Sequence, residues 1–510
     1  MHYPLLYEIN TRCWLREFGD ARTASVTLVD IPDSEFAEWQ RLGFTHIWLM
    51  GVWASGPQAR EKALSENQPA SYYSEALPDW QPKDVGGSPY AIADYRVSSE
   101  LGGETGLQAF RQQLHAHGLK LILDFVPNHL GLDHPWLGEC PDFFVNGEPH
   151  AQGTFPQTTR AGNRWLAHGK DPNFPPWTDT AQLDYRRADT RVAMSELLQS
   201  IAERCDGVRC DMAMLLLNDV FEKTWGHFPP PDSFPASKPN PKTTRPEGEF
   251  WAEVIGTIKQ KFPEFLFLAE AYWGLESRLQ ALGFDYVYDK ELYDRLIAKD
   301  AAGVQRHLLK LPPTELAAGA HFLENHDERR VASILTLAEH RAAALVILGL
   351  PGMRLLHQGQ LSGAVRRLPV QLIRRPPEPT QVEIESMYHE FLTTLPHTAV
   401  GHGDFEILKR RAAWSENPTA ENFVLVQWQR QPEEFDLVTV NLAPHPSQCY
   451  APLTISDLAQ HSWIVKNLLG AEQHLHKGAD LEKKGLFLDL PAHGAQLLHF
   501  KPADSGEAQT

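Results

Sequence analysis

Asp206-Gly207-Val208-Arg209-Cys210-Asp211-Met212-Ala213-Met214-Leu215 is the stretch around which the rest of the chain is organised. Its first half reads as a short buried strand, with Val208 and Cys210 inside and Gly207 at the turn into it. The strand then ends on an acid. A carboxylate at the end of an apolar strand has lost much of its water, so something must stabilise it, and Arg209 is the local candidate. Asp211 has two readings at this point. It caps the next helix, or it is held at the strand end for chemistry. Other strand-like stretches end on polar groups in the same way, at Asp124, at Glu270 and at Asn325-His326-Asp327, and this favours the second reading.

Moving outward, the chain alternates. Strands are expected at 7–10, 45–49, 119–125, 207–211, 265–270, 284–288, 321–324 and 353–356. Helices are expected at 33–42, 107–114, 192–201, 250–258, 275–282, 300–309 and 332–348. Phe36, Trp39 and Leu42 fall at helical spacing before Gly43, and Leu107, Phe110 and Leu114 do so before Gly118. Such alternation implies a parallel sheet, and eight strands imply an α/β fold of the closed (β/α)8 or TIM-barrel kind. Residues 1–398 form this predicted barrel.

Two segments break the alternation. Residues 130–185 are rich in Pro, Gly and Trp and follow the third strand, so they read as an inserted subdomain over the strand C-termini. Residues 228–249 carry seven prolines, cannot be helix or central strand, and follow the fourth strand. Beyond residue 399 the texture changes to strands at 405–408, 423–428, 436–440, 486–490 and 495–500. These predict a separate all-β sandwich domain over 399–501, with a disordered tail at 502–510.

Composition excludes some classes of function. The 510 residues are too many for one core, and a net charge of −18 argues against a nucleic-acid or anionic-membrane surface. The five cysteines are odd in number and show no zinc-like spacing. They read as free thiols of a reducing compartment. The N-terminus has no basic region followed by an apolar run, so no secretory leader is expected, and no apolar run reaches the ~20 residues of a membrane span. A cytoplasmic protein with neither a nucleic-acid nor a membrane partner is expected. His115 and His117 read as part of a solvated helix face.

The strand ends converge acids on one rim, an arrangement that like-charge repulsion makes costly and that glycoside cleavage requires. Four motifs occur in order here: Asp124-Phe125-Val126-Pro127-Asn128-His129, Gly207-Val208-Arg209-Cys210-Asp211, Phe267-Leu268-Ala269-Glu270-Ala271 and Phe322-Leu323-Glu324-Asn325-His326-Asp327. With Ser88-Pro89-Tyr90-Ala91 alongside, the chain resembles the α-amylase superfamily, glycoside hydrolase family 13, in an intracellular-type member with a short inserted subdomain. The resemblance implies that Asp211 is the nucleophile of a retaining, double-displacement mechanism and Glu270 the general acid and base. Asp327 would grip two ring hydroxyls. It places His129, His326 and Tyr90 on the same sugar, Arg209 beside the nucleophile and Asp124 in support of the site. The substrate implied is an α-linked glucoside or α-glucan. No cofactor is expected, and Asn128 is the only evident position for the structural calcium of the family. Met212-Ala213-Met214-Leu215 replaces the family's usual Lys-His pair after the nucleophile, and Ala91 stands where Asp is common. An α-glucan transglycosylase with the same residues, and a non-catalytic amylase-like binding protein, are the alternatives. Trp136, Trp165, Trp177, Trp225 and Trp273 lie in rim segments, where stacking on sugar and packing are both open to them.

Overall fold

The computed structural model describes residues 2–22, 25–65, 70–160, 162–233, 248–431 and 434–503. Eight parallel strands close into a barrel: β1 (Leu5–Asn10), β2 (His46–Met50), β3 (Lys120–Phe125), β4 (Gly207–Cys210), β5 (Leu266–Ala269), β6 (Tyr286–Tyr288), β7 (Gly319–Phe322) and β8 (Met353–His357). Every neighbouring pair is parallel, and β8 returns to β1. The (β/α)8 expectation therefore holds. β7 begins and ends two residues earlier than expected, which leaves Leu323 and Glu324 in the loop beyond it. The polar strand ends belong to β3, β4, β5 and β7, and β6 stands between the last two.

Side chains alternate across each strand with period two, and this sorts the barrel into two cores. Leu6, Trp48, Ile122, Leu266, Leu268, Tyr288, Phe322, Met353 and Leu355 form a cluster inside the barrel. Leu5, Ile47, Leu121, Leu123, Val208 and Phe267 belong to a larger cluster that includes residues of the surrounding helices. Gly207 is where it is for space. A Cβ there would lie 2.6 Å from the Leu266 carbonyl oxygen.

The 130–185 insert follows β3. It holds a hairpin of Thr154–Thr159 with Gly162–Ala167, and His129–Gly131 pairs with Thr180–Gln182 to root it on the barrel. Of the proline-rich 228–249 segment, residues 234–247 lie outside the described residues.

The C-terminal region has a six-stranded antiparallel sheet, ordered Asp404–Ile407, Phe423–Gln431, Glu434–Asn441, Ala495–Pro502, Ser462–Asn467 and Gln473–Lys477. Ser447–Ala451 and Leu486–Leu490 pair as a second sheet. Both faces of the central strands are buried. Phe423, Leu425, Phe435 and Leu437 meet the second sheet, while Val424, Val426, Trp428, Val438 and Val440 join the main core. Trp428 Nε1 donates to the Gly349 carbonyl at 2.8 Å across that seam. Three strands were not legible from the sequence, and the region is not purely β, since Gly478–Lys484 is a helix. Pro502 ends the last strand and does not start a tail, and residues 504–510 lie outside the described residues. His115 and His117 are not simply solvated. They lie 2.9 Å from Asp206 and 2.8 Å from Asp33 respectively. No helix among the described residues is long and apolar enough to cross a membrane.

Candidate active site

The upper end of the barrel interior is polar where the lower end is apolar. The register sets Glu8 between Trp48 and His357, and Arg209 between Asp124 and Leu268. Arg209 is fully buried, which requires paired partners. It has two: its guanidinium donates to Asp211 Oδ1 at 2.7 Å and forms an ion pair with Glu270 Oε2 at 2.8 Å. The rings of Trp48, Tyr90 and Tyr288 surround it at 5.3, 5.4 and 5.8 Å. Asp211 therefore serves Arg209 and does not act as a helix cap. Met212, the cap of the Ala213–Leu216 turn, takes a left-handed φ of 44°, a conformation that costs a residue of its kind about 1–3 kcal/mol. The turn sends the Met212 N–H to Glu270 Oε2 at 2.7 Å. Of the four residues that replace the Lys-His pair, Ala213, Met214 and Leu215 are buried core and Met212 is partly buried.

Glu270 also accepts from the Tyr272 hydroxyl at 2.8 Å. Burial raises its pKa to about 7, with Arg209 opposing and the charges of Asp211 and Asp327 reinforcing the rise. Burial raises Asp211 as well, against the pull of Arg209. Asp327 goes the other way. Burial works against its charge, but the His326 imidazole at 3.0 Å and Arg209 hold its carboxyl well below the usual range. Asp327 keeps 41% of its side-chain surface exposed, against 9% for Asp211 and 4% for Glu270. Its turn is fixed by Asn325 Oδ1, which accepts from the Asp327 and Glu328 N–H groups at 2.9 and 3.0 Å.

His326 joins the two sides of the site. Its Nε2 lies 2.8 Å from the Tyr90 hydroxyl, and its Nδ1 lies 2.5 Å from Glu8 Oε1. The Tyr90 and His326 rings stack at 5.4 Å. Burial disfavours its charge, yet Asp327 and Glu8 hold its pKa well above the usual histidine value. Asp124 sits behind this layer, its carboxylate accepting from Trp48 Nε1 at 3.2 Å and from the Gly51 N–H at 2.9 Å. Burial raises it to about 6. His129 is buried against Trp177 at 5.1 Å, and burial lowers its pKa to about 4.

With that geometry in place, comparison with known proteins decides the family. The alpha-amylase catalytic-domain family matches residues 38–371. The chain belongs to the alpha-amylase family. It is 26% identical over 282 residues to Alpha-amylase MalA of Haloarcula japonica, which covers 54% of this chain and 36% of that protein. It is 27% identical over 316 residues to Maltase 1 of Drosophila virilis, covering 54% of this chain and 50% of that one. The matches thus span about a third to half of the length of these curated relatives. The crystal structure of a maltogenic alpha-amylase AmyB from Thermotoga neapolitana shares the fold, with a TM-score of 0.67 at 17% identity over 98% of this chain and 99% of that one.

Several parts of this alpha-amylase-family site escaped the reading of the sequence. Glu8 is fully buried inside β1, two residues before its end, so the strand-end rule that found Asp211 gave no signal there. Trp48 and Tyr288 looked like core aromatics, and only the closed barrel shows them around Arg209. Of the five rim tryptophans, Trp225 is buried, Trp177 touches His129 and Trp273 is exposed. The resemblance places calcium, where present, at Asn128. There the amide Oδ1 already accepts from Gln182 Nε2 at 3.0 Å, and the amide nitrogen faces His129 at 3.3 Å. Among the described residues no group of three or more His, Cys, Asp or Glu side chains is placed to hold a metal ion.

Proposed function

We propose that this protein is a retaining α-glycosidase that hydrolyses α-linked glucosides by double displacement. The observation that carries the reading is the single buried guanidinium of Arg209 set against both Asp211 and Glu270. One cation held between two acids lets them differ in protonation, which the mechanism needs. Asp211 attacks the anomeric carbon while Glu270, with a pKa of about 7, gives its proton to the leaving oxygen. The glycosidic C–O bond breaks as the Asp211 ester forms. Glu270, now ionised, takes a proton from water, whose oxygen displaces Asp211 and releases the sugar. Asp327 and His326 grip ring hydroxyls, Tyr90 supports the ring, and His129 bonds its far edge. Asp124 keeps Trp48 and the Gly51 turn in place behind them.

The substrate is an α-glucoside or α-glucan, and no step needs a cofactor. The buried thiols of Cys13, Cys205, Cys210 and Cys449 support a reducing compartment, and we place the protein in the cytoplasm. The test is the anomer released first from maltotriose or 4-nitrophenyl α-glucoside, read by proton NMR. The α-anomer is expected, and the β-anomer would overturn the mechanism. Products longer than the substrate would show that a sugar, and not water, is the acceptor.

A further inference from the structure

Glu8 has no part in the mechanism proposed above, yet it is an ionisable group buried completely in the upper layer of the barrel. It stands inside β1, and its Oε1 lies 2.5 Å from Nδ1 of His326. Its other oxygen, Oε2, has no hydrogen-bond partner among the described residues. A buried carboxylate is costly unless a cation pairs with it. Burial opposes the charge on Glu8, but His357, His326 and Arg209 together hold its carboxyl below the usual range. Of these, His357 is itself kept below the ordinary histidine value by burial and by Arg330. Arg209 is taken up by Asp211 and Glu270. That leaves His326 as the cation paired with Glu8.

The surroundings of His326 require the same charge. Its second nitrogen, Nε2, lies 3.0 Å from Asp327 Oδ2 and 2.8 Å from the Tyr90 hydroxyl. A neutral imidazole has one donor nitrogen and one acceptor nitrogen. Between two carboxylates it would turn a lone pair toward one of them. Only the imidazolium donates to both. The Trp48 ring packs edge-on at 5.6 Å, and the field of the imidazolium reaches Asp124 and Asp211. Arg330, Arg367, Arg375 and Glu328 line a small cavity with His326 and His357. Arg330 is bonded to Glu324 and Arg375 to Glu17, so neither carries free charge to the ring. At the ring nitrogens the partners among the described residues are two carboxylates and a hydroxyl.

We infer that Glu8 is a positioning residue that keeps a proton on both nitrogens of His326, so that Nε2 can only donate and the sugar hydroxyl set against it must accept. Asp327, an acceptor only, then takes the hydrogen of a hydroxyl, and the two side chains fix the direction of the hydrogen bonds around the ring. The role toward the sugar rests on the glycosidase reading. The role toward His326 does not.

Glu8→Gln tests both, because the amide keeps the shape and an acceptor for Nδ1–H while removing the charge. Without that anion the pKa of His326 falls, and the ring loses its second proton as the pH rises. The variant-to-wild-type ratio of kcat/KM on 4-nitrophenyl α-glucoside should therefore drop roughly 10- to 100-fold between about pH 5 and about pH 8. Taking the ratio cancels the Glu270 limb that both proteins share. A ratio that is flat or rising would make Glu8 a packing residue and overturn the inference. The second readout is nitrogen-15 NMR of histidine-labelled wild-type protein, with the His326 signal identified by its loss in His326→Gln. Both ring nitrogens should be protonated at about pH 7.5, and a neutral ring there would overturn the inference even if Glu8→Gln does not fold. If the wild type cleaves no α-glucoside, the glycosidase reading fails, and the NMR measurement still decides whether Glu8 holds His326 charged.

Discussion

The lower and upper halves of the barrel interior are built from the same eight strands and have opposite chemistry. Below, Leu6, Ile122, Leu266, Leu268 and Leu355 pack as an apolar plug. Above, two residues further along the same faces, stand Glu8, Asp124, Glu270 and His357, with Arg209 among them. The lower layer stabilises through removal of apolar surface from water, about 25 cal/mol per Å². The upper layer gathers charge out of water, and such pairs often do no better for stability than apolar residues of the same shape. The difference teaches that stability does not account for the upper layer, which the proposed chemistry needs, while the lower layer holds it in position.

Substitutions can break this contrast. Asp211→Asn should cost the most activity, on the order of 10⁴-fold or more in kcat, with the melting temperature maintained or raised. Substantial turnover in that variant would remove Asp211 from the mechanism. Glu270→Gln should lose about 10²–10⁴-fold on substrates with poor leaving groups, and much less on 4-nitrophenyl α-glucoside, whose leaving group needs little protonation. An equal loss on both would deny Glu270 the acid role.

Stability should separate the layers next. Arg209→Ala leaves the facing carboxylates without their cation and should cost about 3–5 kcal/mol as well as activity, measured by urea unfolding and turnover on one preparation. Leu268→Ala, from the lower layer of the adjacent strand, should cost about 2–5 kcal/mol yet leave kcat within a few-fold. Should Leu268→Ala abolish turnover in the folded protein, the two layers are not separable in the way described.

The smallest effect is the dependence on pH. Burial keeps the Glu270 proton up to about pH 7. The acid form therefore predominates below that pH and is lost above it, so kcat/KM should fall as pH rises through about 7. A profile flat across that range would contradict a proton held at Glu270.

Much of this site could be read before any fold was known. Asp211 and Glu270 directly follow the buried strands Gly207–Cys210 and Leu266–Ala269, and a charge at such a place demands an explanation. Glu8 carries no such signal, because it stands inside β1 and not at its end. Tyr288 and Trp48 gave no signal at all. An aromatic in an apolar strand looks the same whether it faces a helix or an arginine.

The sequence by itself determined the eight strands, most of their helices and the acids at the strand ends, because period-two and helical patterns are local and survive without knowledge of partners. Only the tertiary structure decided that one guanidinium serves both Asp211 and Glu270, and that Glu8 stands under His326. It alone joined Asp84 to Arg374, 290 positions apart, and Arg12 to Val370, 358 apart. Contacts at that separation exist only because barrel closure returns β8 to β1, and no local pattern of residues encodes where a closed ring meets itself.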